Sequence, residues 1–293
     1  MRVTQSMLSS NMMKNLTASL ARLDTLNTQV GSQKKITRPS DDPVVAMKGM
    51  TYRRSLAEVE QYQRNFSEAY NWVENSDSAL DKAKLALDRI RELVVQTSND
   101  TYDSEQREAA KAEVAQLKEH LVEIANTKFG EKYLFNGSAT ATKPVSVTAT
   151  GTTVSDNAGK MELELSKGVY IQVNISPGEA FSEDLFSTVD EVVTALGDGS
   201  TGAQLSGLLD KLDSRIADNS TARAKIGARF NRIELMESRM AEQAVIASRI
   251  LSENEDVDFE KVVTELTVQE TVHKAALSVG SRIIQPTLMD YLR

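Results

Sequence analysis

Side chains able to do chemistry are few in this chain and far apart. Two histidines, His120 and His273, are separated by about 150 residues, and cysteine is absent. Without thiols there is no disulfide, no thiolate metal site and no cysteine nucleophile, and histidines this distant give no zinc site with two neighbouring His ligands. His120 is followed by Leu121-Val122-Glu123 and His273 by Lys274-Ala275, so neither opens a His-Glu-x-x-His helix. Neither a glycine-rich phosphate loop nor a Gly-x-Ser-x-Gly elbow occurs in the sequence. No catalytic constellation results, so the expectation is a non-enzyme without cofactor or metal. His273 reads as a packed or polar seam residue, and His120 as a solvated side chain on a charged helix face.

The acidic pair in Ser40-Asp41-Asp42-Pro43 could offer clustered oxygens to a hard cation. A helix start accounts for it better. Asp42 at the N-cap with Pro43 at the first helical position satisfies orphan amides and suits the helix dipole. Arg38, Pro39, Asp41, Asp42 and Pro43 are therefore read as a helix-capping loop.

Those residues must be carried by long helices. Gly and Pro together make 19 of 293 residues, about half the usual share, and none lies between Met50 and Phe129. At 293 residues the chain is long enough for about two domains. A seven-residue repeat runs through Tyr52, Val59, Phe66, Val73, Leu80, Leu87 and Val94, with Ser55, Tyr62, Ala69, Ser76, Ala83, Ile90 and Thr97 three positions on. A helix over Val44 to Ser98 would be roughly 80 Å long, which calls for a bundle or coiled coil. Asp103 or Ser104 caps a second helix with Ala110, Val114, Leu117, Leu121 and Ile124 on one stripe. A return helix follows a 4,3 spacing from Leu212 through Ile216, Asn219, Arg223, Ile226, Phe230, Ile233, Glu237, Met240, Ala244 and Ala247 to Leu251. Asn219, Arg223 and Glu237 either fix its register or lie at a seam edge. Trp72, Tyr70 and Phe66 read as a core cluster, with an exposed subunit contact as the alternative.

Ten of the fourteen glycines fall between Gly130 and Gly207. Within that stretch Val145 to Thr148, Lys160 to Leu165 and Val169 to Ile175 read as strands, punctuated by Asn136-Gly137, Asp156-Asn157 and Pro177-Gly178. The expected fold is mainly α, a long antiparallel helical bundle or coiled coil formed by the N- and C-terminal parts, with a small β-rich insertion. The expected domains are a terminal helix over 1–40 pairing with 256–293, a first core half over 41–137, an outer insertion over 138–177 and a return half over 178–255. The insertion, bounded by turns, is expected to be removable without unfolding the long helices.

The two ends carry thin stripes. Leu16, Leu23 and Val30 are seven apart, with Met12, Ser19 and Leu26 as companions, and Val262, Leu266, Gln269, His273, Ala276, Gly280 and Ile283 share the rhythm. Met7, Met12 and Met13 are read as seam fillers. Such helices need partners, either each other or other copies. Leu16, Leu23, Val30, Leu266, Ile283, Leu288 and Leu292 are the expected assembly contacts. The 34 Lys and Arg against 42 Asp and Glu give a net charge of −8, which disfavours nucleic acid. No stretch approaches the ~20 apolar residues of a membrane span, and the start carries no secretory signal.

The loop Lys35-Ile-Thr-Arg-Pro-Ser-Asp-Asp-Pro43, the heptad helix, Lys132-Tyr-Leu-Phe-Asn-Gly-Ser138 before a variable middle, and the long return helix together resemble the flagellin superfamily. Gln285-Pro-Thr-Leu-Met-Asp-Tyr-Leu292 is similar to its hook–filament junction branch, since filament flagellins end in a simpler apolar tail. The resemblance implies a structural subunit of the bacterial flagellum. It implies export in the unfolded state by the flagellar type III apparatus and assembly as a ring of copies between hook-associated protein 1 and the flagellin filament. The terminal helices would form an inner coiled coil, and the middle would face outward. A cytoplasmic export chaperone on Asp258 to Arg293, and an extracellular location after transient residence in the cytoplasm, are implied as well. A filament flagellin and a cytoplasmic coiled-coil adaptor or chaperone are the alternatives.

Overall fold

A computed structural model describes residues 5–98, 103–148, 151–198 and 202–284 of the chain. The elements run α1 (Gln5–Ser32), α2 (Pro43–Thr97), α3 (Ser104–Ala125), β1 (Lys128–Phe129), β2 (Lys132–Tyr133), β3 (Val145–Thr148), β4 (Gly151–Val154), β5 (Glu162–Ser166), β6 (Val169–Gln172), α4 (Pro177–Ala180), α5 (Glu183–Gly197), α6 (Gly202–Glu255) and α7 (Phe259–Ile284). The chain divides into two compact units, one from Met1–Glu58 with Ala244–Arg293 and one from Val59–Gln243. The fold is mainly α with a small β insertion, as the spacing of apolar residues and breakers predicts.

In the unit Val59–Gln243 the heptad becomes the core. Val59, Phe66, Val73, Leu80, Leu87 and Val94 of α2 are buried, together with Ala69, Ser76, Ala83, Ile90 and Thr97. A further set seven apart, Trp72, Ala79, Ala86 and Leu93, is buried too. Three stripes widen the apolar face of α2 enough to meet two neighbours. Ion pairs mark those neighbours: Arg89 reaches Glu113 of α3 at 2.8 Å and Arg91 reaches Asp213 of α6 at 2.5 Å. From α6 the core receives Leu205, Leu212, Asn219, Ala222, Ile226, Ile233 and Met240. Asn219 lies inside this seam, 1% exposed, whereas Arg223 sits at its edge, 2.8 Å from Asp77 and also paired with Asp81. Glu237 is likewise at the edge, accepting a 2.7 Å hydrogen bond from Tyr70. Trp72 and Phe66 are core residues; half-buried Tyr70 packs edge-on against Phe230 with ring centroids 5.3 Å apart.

Among the described residues the strands pair as three separate antiparallel hairpins, β1–β2, β3–β4 and β5–β6. Gly137 has φ +58°, the left-handed conformation that suits the Asn-Gly turn, and a Cβ there would run into the Asn157 carbonyl. A two-stranded hairpin cannot bury a core of its own. The insertion instead leans on helices: α5 packs along α3 and touches β4, and α3 touches β3. Its apolar side chains Val145, Leu165, Ile171, Val173 and Ile175 are buried, and Phe135 meets Phe181 edge-on at 5.0 Å. Residues 177–198 hold α4 and α5, and α6 starts at Gly202. Helix α5 is capped by the Ser182 hydroxyl, which accepts from Leu185, and carries Glu183 and Asp184 in its first turn.

Candidate assembly interface

Within the unit that joins the two ends, α1 and α7 pack against each other along their lengths. The chain direction is antiparallel, as the bridge between Lys34 and Asp256 requires. Each helix gives one stripe. From α1 come half-buried Met12, Leu16, Ser19, Leu23 and Val30 with buried Leu26, and from α7 buried Val262 with half-buried Leu266, Gln269, His273 and Ala276. Met12 lies on Gly280, where a Cβ would overlap its methyl group. Ser19 meets His273 Nδ1 at 3.1 Å and accepts a 3.1 Å hydrogen bond from the Gln269 amide.

One stripe per helix leaves the remaining faces open. On α1 these faces carry exposed Met7, Leu8, Met13 and Leu20; on α7 they carry Val263, Val268, Val272, Leu277 and Val279. Met7 and Val268 are each 57% exposed. Full burial of a Val, Leu or Met side chain contributes roughly 1.5–3 kcal/mol. Exposed apolar surface gathered on one helix pair is the kind that marks an interaction site.

The turn that precedes α2 is a closed network. Asp41 Oδ2 accepts from the Arg38 amide at 2.9 Å and the Thr37 amide at 3.2 Å, and those bonds hold its carboxyl below the usual carboxylate range. Asp42 Oδ1 accepts from Val44 and Val45 at 2.9 and 3.1 Å at the start of α2, with Pro43 as its first residue. Both carboxylates are thereby engaged by backbone amides. Arg38 and Pro39 are exposed.

Beside this loop, Lys35 donates to the Glu255 carbonyl at 2.7 Å and Val257 to the Gln33 carbonyl at 3.1 Å. The Lys34 ammonium lies 2.6 Å from Asp256, which lowers the Asp256 carboxyl and raises Lys34; Ser252 adds a second hydrogen bond to Asp256. Glu255 is buried, 2.8 Å from Arg53 and against Gly49, where a Cβ would stand 2.5 Å from its carboxylate oxygen.

Of the residues singled out from spacing, Leu16, Leu23, Val30 and Leu266 are seam residues of the α1–α7 pair rather than its open faces. Ile283 falls in the last turn of α7, where the backbone alone is described, and Leu288 and Leu292 lie outside the described residues. Met12 fills the seam, but Met7 and Met13 are exposed. The open faces escaped the heptad reading because their apolar residues fall between its positions. The Glu255 contact with Gly49 escaped it because nothing local links residues 206 apart.

Sequence comparison matches the bacterial flagellin N-terminal helical region to residues 3–140 and the bacterial flagellin C-terminal helical region to residues 209–292. The flagellar hook-associated protein 3 of Escherichia coli K12 is 25% identical over 94% of this chain and 95% of its own length. A flagellin of Halalkalibacterium halodurans is 23% identical over 94% of this chain and 93% of its own. Among solved structures, the flagellar hook-associated protein 3 of Legionella pneumophila superimposes with a TM-score of 0.66 at 16% identity, over 70% of this chain and 98% of the other. With paired terminal helices and a matched helical region at each end, this chain belongs to the bacterial flagellin superfamily, and it is similar along nearly its whole length to hook-associated protein 3 members of it.

Proposed function

We propose that the chain is the structural subunit that joins the hook of the bacterial flagellum to its filament, without enzymatic activity. The observation that carries this reading is the α1–α7 pair with its outward-facing Met, Leu and Val side chains. A pair that satisfies its seam internally and leaves its outer faces apolar suits a subunit whose termini are buried only on assembly. Hook-associated protein 1 is the partner on the hook side, flagellin the partner on the filament side, and further copies of the chain complete a ring. The subunit reaches that place unfolded through the flagellar type III apparatus, with a cytoplasmic chaperone holding residues 258–293 beforehand. Its resting place is extracellular, at the hook–filament junction. No described helix is long and apolar enough to cross a membrane.

The test is where antibody against the protein binds on intact flagella. A single band at the boundary between hook and filament is the expected result, with flagellin shed into the medium by cells lacking the protein. Label along the whole filament would make the chain a filament flagellin. Label confined to the cell interior would leave a cytoplasmic coiled-coil adaptor.

A further inference from the structure

The α1–α7 seam is mostly short on detail that could tell one alignment from another. Leu16, Leu23, Leu26 and Val30 would accept Val262, Leu266 or Ala276 with little preference, because apolar contact is not directional. Two features break this degeneracy. Ser19, Gln269 and His273 form a hydrogen-bonded layer in mid-seam, with both contacts at 3.1 Å. One heptad earlier on α1, Met12 occupies the notch that Gly280 leaves one heptad later on α7.

We infer that the Ser19–Gln269–His273 layer, with Met12 seated on Gly280, is what sets the register of the terminal helix pair. The contacts suit a Ser19 hydroxyl that accepts from the Gln269 amide and bonds His273 Nδ1. Sliding α7 by one heptad in one direction sets His273 against Met12, Gln269 against Leu16 and Leu266 against Ser19. Sliding it in the other sets His273 against Leu26 and Gln269 against Val30, and brings Gly280 to Ser19 while Met12 loses its notch. Either slide keeps apolar residues in the seam but leaves polar groups facing aliphatic ones. An unpaired polar group in a seam costs more than the hydrogen bond itself contributes, so the penalty falls on the wrong alignments. The layer thus acts as a specificity device, paid in seam stability, that an all-leucine pair would lack. The inference rests on the assembly reading only for where it is measured, because the pairing lies within one chain.

The absence of cysteine makes the register readable by disulfide trapping. The Leu16→Cys/Ala276→Cys pair reports the observed alignment, Leu23→Cys/Ala276→Cys a slide in one direction, and Leu23→Cys/Val262→Cys a slide in the other. Each pair is placed in the full-length protein, and flagella are isolated, probed for the protein, then oxidised. The expected result is a cross-link in the first pair that exceeds the other two by about tenfold, the factor that one or two hydrogen bonds supply. In a Ser19→Leu/Gln269→Leu/His273→Leu background the slid pairs should rise to a similar yield. Single Ser19→Ala serves if the triple change prevents assembly, and should raise the slid pairs in the same direction. Ser19→Thr, which keeps the hydroxyl, should leave the first pair dominant. Unchanged dominance of the first pair in both altered backgrounds would overturn the inference, and so would equal cross-linking of all three pairs in the parent. Absence of the parent protein from isolated flagella would instead count against its place at the junction, and the same three pairs would then be read on the purified full chain.

Discussion

Asp41 and Asp42 are neighbours in the chain with different partners, and the difference is testable. Asp42 caps α2 by accepting from Val44 and Val45. Asp42→Ala should lower unfolding stability by about 1 kcal/mol in a denaturant titration, with Asp42→Asn close to the parent. Asp41 and Asp256 are each held below the ordinary carboxylate range, Asp41 by the Arg38 and Thr37 amides and Asp256 by Lys34 and Ser252. A carboxyl whose folded value is depressed contributes fully above its unfolded value, about pH 4, and loses that contribution as pH falls through the folded one. Thermal melting followed from pH 6 to pH 2 should therefore drop on the acid side. Asp256→Asn should flatten part of that drop by lowering the neutral-pH value by the same small amount, small because both partners of the Lys34 pair are over 40% exposed.

At the level of elements, the stripes of α2 separate residues two apart into opposite classes. Leu87 is fully buried and Leu85 is 63% exposed. Leu87→Ala should cost about 2–5 kcal/mol, while Leu85→Ala should stay within ~0.5 kcal/mol. A Leu85 effect as large as that of Leu87 would mean that the face of α2 is misassigned. The insertion behaves differently from a detachable loop. Its turns predict a removable segment, but Val145, Leu165, Ile171, Val173 and Ile175 are buried, and its β3–β4 hairpin touches α3 and α5. Replacing 138–177 by a short linker should leave α2 helical by circular dichroism yet expose α5 to hydrogen exchange. Unchanged protection of α5 would show that the α3–α5 contact suffices alone.

For the whole molecule, assembly and folding stability should respond to different residues. Leu23 lies in the α1–α7 seam, in the unit of Met1–Glu58 and Ala244–Arg293, whereas the large buried side chains Trp72, Phe66 and Leu80 belong to Val59–Gln243. Leu23→Asp replaces an apolar contact worth roughly 2 kcal/mol with a charge that resists desolvation. Under the junction reading, cells making this variant should release flagellin without forming filaments, while the purified protein melts within a few degrees of the parent. Full-length filaments on such cells would move the assembly surface away from the termini.

The periodicities of this sequence, read alone, already determine the long α2 and α6 and the helical character of the whole, and leave the ends to pair with each other or with other copies, because a seven-residue repeat has few ways to bury itself. The family is legible as well, from motifs that stand contiguously in the chain. Three features came only with the tertiary structure. Helix α5 falls before the 4,3 spacing that marks the return helix from Leu212, although Ser182 followed by Glu183 and Asp184, and then Leu185, Phe186, Val189, Val192 and Leu196, carries a cap and a helical stripe. Asn219, Arg223 and Glu237 all follow the 4,3 spacing, but Asn219 alone lies inside the seam: it belongs to the set seven apart with buried Leu212, Ile226, Ile233 and Met240, and the rotation of α6 against α2 buries that set rather than the one that holds Arg223 and Glu237. The open apolar faces of α1 and α7 likewise depend on what each helix meets. Periodicity states which residues share a face, and packing decides which of those faces remains without a partner.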